Sequence, residues 1–96
     1  MTFKEFQKTL NGEHPPHQTN PIIKALWYDA KGNWNQSHEI IQDIHSAAGS
    51  RIHAYLHRKE GDLGNAQYWY SRSGESMPQL SLDEEAELLI IRYLEE

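Results

Sequence analysis

The chain has 96 residues, a formal charge of −5 and no cysteine. That length supports one modest core, so residues 1–96 are read as a single domain, and the missing thiols exclude disulfides, thiolate catalysis and cysteine-ligated zinc or iron–sulfur centres. An acidic balance without a basic run argues against nucleic acid as a partner. No apolar run approaches a membrane span and MTFKEFQKTL lacks the apolar core of a signal peptide, so a cytoplasmic protein without membrane contact is expected.

Thr2 followed by Glu5 forms a capping-box pattern, and Phe3, Phe6 and Leu10 recur on one face, which predicts a first helix over 2–11. NGEHPPHQTNP (11–21) is rich in Gly, Pro and polar residues and reads as a linker or ordered surface loop. Asn20 then caps a helix with Pro21 at its first position, predicted to stop at Gly32. Asn33 caps a third helix reaching about Ile44, with Trp34, Ser37, Ile40, Ile41 and Ile44 inward. HSAAGS turns the chain, and Ser46 or Ser50 caps the fourth helix, RIHAYLHRKE, which ends at Gly61. Asp62 opens a fifth helix ending at Gly74. After the loop GESMPQ, Ser81 with Glu84 makes a second capping box for a last helix over about 81–95. Its inward residues are Leu82, Ala86, Leu89, Ile90 and Tyr93 or Leu94. No alternating stretch long enough for a strand occurs, and the chain is read as all-α with about six short helices.

A repeat lies inside this pattern. Residues 25–43 overlay 54–72 without a gap, and Gly61 follows Gly32 by 29 positions (61 − 32). Gly32 falls on Gly61, Asn33 on Asp62, Trp34 on Leu63 and Ser37 on Ala66. A fixed period in this range marks a stacked supersecondary unit, most often a helical hairpin. Glycine at the stop accepts positive φ without steric cost, and the small residues five positions later suit the closest approach of the two helices. Two hairpins, about 21–45 and 47–74, are thus expected to stack between the terminal helices.

Gly61, Asp62, Leu63, Ala66, Trp69 and Tyr70 resemble the turn and second helix of a tetratricopeptide repeat, and Gly32, Asn33, Trp34, Ser37, Ile40 and Ile41 match more loosely. The resemblance covers 21–74, and its spacing is shorter than the family's period of about 34 residues. HAYLHRKEGD followed by NAQYWY is also similar to a small bacterial family. The tetratricopeptide resemblance implies a non-enzymatic module that binds a protein or peptide, with the first helix of each hairpin on the concave face. Arg51, Tyr55, Arg58 and Lys59 occupy that position, alongside Ile52 and, from the first hairpin, Ile23, Leu26 and Asp29. An Arg–Tyr–Arg–Lys face in an acidic chain is suited to clamp a peptide carboxylate, and a solvated face salt-bridged to nearby acids is the competing reading.

The alternative chemistry is metal binding. His53 and His57 stand i, i+4 on one helix face and Glu60 follows three further on, a donor set able to hold Zn²⁺ with one open position. HEIIQDIH supplies His38, Glu39 and His45 from the neighbouring helix. Against a metalloprotease reading, Ala54 rather than Glu follows His53, and the repeat register favours two packed histidines bonded to neighbouring polar groups without any metal. His14 and His17 belong to the polar loop. No nucleophile triad or phosphate-cradling loop is present, so no catalytic residue and no cofactor is assigned. Asp83, Glu84 and Glu85 in the first turn of the last helix are explained by its dipole. That helix also carries more apolar residues than one face can bury, which suggests a homo-oligomer through LLIIRYL.

Overall fold

Every helix begins on a side chain able to accept a hydrogen bond from the otherwise unpaired first-turn N–H groups. Thr2, Asn20, Asn33, Ser46, Asp62 and Ser81 each accept from the backbone N–H three residues on, and Thr2/Glu5 and Ser81/Glu84 close reciprocal capping boxes. The computed structural model describes residues 1–17 and 19–95 and contains six helices and no strand among them. They are α1 (Phe3–Thr9), α2 (Pro21–Ala30), α3 (Trp34–Ile41), α4 (Ala47–Glu60), α5 (Leu63–Ser73) and α6 (Leu82–Leu94).

The stops are also local. Gly32, Gly61 and Gly74 sit at φ of 84°, 89° and 81°, the left-handed region where a Cβ would be strained. Two boundaries differ from expectation. Helix α3 ends at Ile41 rather than near Ile44, and α4 starts at Ala47 because Ser46, not Ser50, is its cap. Gly49 explains the tightness of this turn: a Cβ there would lie 2.2 Å from the Ile44 carbonyl oxygen. The chain can double back from α3 into α4 only over a glycine.

Helix α2 packs along α3 and α4 along α5, giving two hairpins joined by that turn, while α6 lies against α2 and α4 and α1 rests on α6. The core runs through Phe6, Leu26, Trp27, Ile41, Ile52, Leu56 and Leu89. A smaller cluster of Ala54, Ala66 and Tyr70 sits between α4 and α5. Ser37 and Ala66, the equivalent small positions, are both completely buried. Side-chain bonds secure α1: the Trp27 indole donates to Thr9 Oγ1 at 3.1 Å, and Lys31 Nζ donates to the carbonyls of Leu10 and Gly12. No helix is long and apolar enough to cross a membrane.

Candidate metal centre

The i, i+4 spacing of His53 and His57 places both imidazoles on the side of α4 that faces α3, and α3 answers with His38. The Nε2 atoms of His38 and His53 are 3.1 Å apart, so in the metal-free protein one carries the proton and the other accepts it. One ligand atom from each of His38, His53 and His57 lies within 4.8 Å of the other two. Two nitrogens bound tetrahedrally at 2.0–2.1 Å to one ion stand about 3.3 Å apart, so the His38–His53 pair is already near ligand spacing.

Neighbouring groups orient each ring. His57 Nδ1 meets Glu60 Oε1 at 2.5 Å, which leaves Nε2 as the free donor in the manner of a carboxylate–histidine–metal arrangement. Trp34 stacks on His38 (centroids 4.8 Å apart, planes within 8°) and Trp69 on His53 (3.9 Å, 15°). Trp34 is itself held by its indole N–H, which donates to the Leu56 carbonyl at 2.8 Å. His53 and His57 are buried and His38 half-buried. Burial, and then the neighbouring imidazoles His57 and His38, lower the His53 pKa from 6.5 to about 4. Burial and His57 lower that of His38 as well, partly opposed by Glu60. At neutral pH these two rings are uncharged, the form that binds metal.

Of the residues singled out from sequence, His38, His53 and His57 converge. Glu60 is not a fourth member of the trio but the hydrogen-bond partner behind His57. A second grouping, His57, Glu60 and Asp62, falls within the same 4.8 Å. There, however, Glu60 is engaged with His57 and Asp62 caps α5 through Asn65, and both carboxylates are exposed. His14, His17, Glu39 and His45 are exposed and belong to neither grouping.

The basic face of α4 is a different matter. Arg51 and Tyr55 are not on an open groove; each is 2% exposed, covered where α6 lies across α4. Glu85, completely buried, accepts from Arg58 Nη1 at 2.6 Å and from the Tyr70 hydroxyl at 2.6 Å, while Arg51 Nη1 sits 2.6 Å away as an ion pair. That last contact is electrostatic rather than an aligned hydrogen bond, since Nη1 has no hydrogen-bond partner. Arg51 Nε donates to Glu75, which also receives Arg92, and Arg58 Nη2 donates to the Leu80 carbonyl. Burial pushes the Glu75 carboxyl up, but Arg92 and then Arg51 more than offset it and hold it low. Tyr55 donates to Asp29 Oδ2 at 2.8 Å and Lys59 Nζ to Oδ1 at 2.9 Å; burial, reinforced by Asp29, raises the Tyr55 hydroxyl pKa. The carboxylate expected from a partner peptide is supplied internally. Glu85, ascribed from sequence to the α6 dipole, was the missed residue. Its signal was an acid at the register of buried Leu89, four positions before it.

Compared with family models, curated proteins and solved structures, the chain shows no match.

Proposed function

We propose that this protein binds a divalent transition metal through His38, His53 and His57. The observation that carries this is the convergence of three imidazoles, two from α4 and one from α3, with Glu60 fixing the free nitrogen of His57. Three imidazole ligands suit Zn²⁺, Ni²⁺, Co²⁺ or Cu²⁺ rather than Mg²⁺ or Ca²⁺, which take oxygen ligands. Calorimetric titration and metal analysis of tag-free protein test it. One equivalent is expected for the wild-type chain, and none for His53→Ala/His57→Ala, with His38→Ala strongly weakened. Wild-type protein that takes up no metal, or a double variant that binds as well as wild type, sinks the proposal.

A second reading, as a protein-interaction module, is favoured by the outer face of α6 and takes a second copy of the chain as partner. Leu88 and Ile91 are 38% and 41% exposed on that face, between Glu87 and Arg92. An antiparallel pair of α6 helices sets Leu88 against Ile91 and Glu87 against Arg92 of the other copy, each contact occurring twice. Light scattering across a concentration series is the check: Leu88→Glu should abolish a dimer seen for wild type, and a wild-type monomer throughout removes this reading.

A further inference from the structure

The histidine trio provides three ligands and, among the described residues, no fourth histidine or carboxylate joins it within 4.8 Å. The two carboxylates that group with His57 are committed elsewhere, Glu60 to His57 Nδ1 and Asp62 to the first turn of α5. Structural zinc sites are closed by four protein ligands, whereas three protein ligands leave a position for water or an exchangeable ligand. Three neutral imidazoles also leave the full charge of a divalent ion uncompensated by the protein groups bound to it, which favours an anion at that position.

The surroundings set its size. The faces of His38 and His53 are covered by Trp34 and Trp69, and His53 and His57 are buried. Approach is therefore along the ring edges, from the side of half-buried His38. Resting on the proposed metal site, we infer that the bound ion keeps its fourth position for a small exogenous ligand, water or hydroxide exchangeable with a small inorganic anion. The centre is then of the open type, able to polarise a ligand, rather than a sealed structural tie.

Cobalt(II) is the probe, because four-coordinate Co²⁺ absorbs visible light far more strongly than six-coordinate Co²⁺. The full-length chain is loaded with one equivalent of Co²⁺, and sodium azide or thiocyanate is titrated in. A saturable change in the visible bands, with one anion bound per cobalt and four-coordinate intensity retained, is the expected result. Loaded protein whose bands stay unmoved by either anion would show a closed fourth position and overturn the inference while leaving the metal site standing. Failure to develop four-coordinate absorption at all overturns both. His38→Ala, checked for folding by circular dichroism, should lose the intense bands; an anion response surviving in it places the cobalt elsewhere and also overturns the inference. Should that variant not fold, the wild-type titration alone decides.

Discussion

Glu60 shows how a single exposed side chain can govern a buried one. Its carboxylate holds the Nδ1 proton of His57 and so leaves Nε2 as the nitrogen with a free lone pair. Glu60→Gln retains the shape and loses the charge, and should weaken metal binding by roughly 10–100-fold, the usual cost of losing such an orienting partner. His38→Ala removes one of the three proposed ligands outright and should cost more than that in the same titration. The histidines also set a pH dependence for the metal-free protein. His53 takes up its proton only at about 4, against 6.5 when unperturbed. Between those values the unfolded chain binds more protons than the native one, so stability is complete above 6.5 and falls as pH drops toward 4. The slope from this group is at most ~1.4 kcal/mol per pH unit. Urea unfolding at several pH values reads it directly; a midpoint constant across that window contradicts neutral buried histidines.

At the scale of elements, α6 is docked by a charge as well as by its apolar stripe. Replacing Glu85 by Ala would strip buried Arg51 of the nearer of its two carboxylates, leaving only Glu75, and strand the Tyr70 hydroxyl, a loss of about 3–5 kcal/mol by analogy with other broken buried pairs. For a chain of this size that approaches the whole margin of stability, so Glu85→Ala should be largely unfolded or melt far below wild type by circular dichroism. Ser37 is the opposite case. Its Oγ is buried with no hydrogen-bond partner among the described residues, and the equivalent position in the second hairpin is Ala66. Ser37→Ala keeps the close helix approach and removes an unpaired hydroxyl, whose burial costs about 1–3 kcal/mol. The variant should unfold at higher urea than wild type, and a lower midpoint would refute an unpaired hydroxyl.

Over the whole molecule, the proposed metal centre would join what the chain folds as two hairpins. His38 belongs to α2–α3 and His53 and His57 to α4–α5, so an ion held by all three would favour the native arrangement over the unfolded chain. At a free concentration 100 times its Kd, a metal ion should add about 2.7 kcal/mol. For a domain of this length that corresponds to a Tm increase of roughly 10–20 °C. Differential scanning calorimetry with Zn²⁺ and with excess chelator measures it, and an unchanged Tm would mean that the ion does not bridge the hairpins.

Much of this was legible in the residues themselves, because it is decided within a few positions of chain. The capping residues Thr2, Asn20, Asn33, Asp62 and Ser81, the left-handed glycines 32, 61 and 74, and the all-helical class follow from local hydrogen bonding and φ preference. The i, i+4 pair of His53 and His57 was visible for the same reason. Which partners complete a side chain's environment was not, since that depends on residues brought together from afar. A helix pattern shows that Arg51 and Arg58 share a face; it does not show that α6 lands there and inserts Glu85, an acid indistinguishable in sequence from its neighbours Asp83 and Glu84. His38 was one of three candidates in HEIIQDIH, and only the crossing of α3 over α4, permitted by the missing Cβ at Gly49, selects it over Glu39 and His45. The local chemistry of the backbone determined the elements, and burial, which belongs to the packed whole, decided which charges meet.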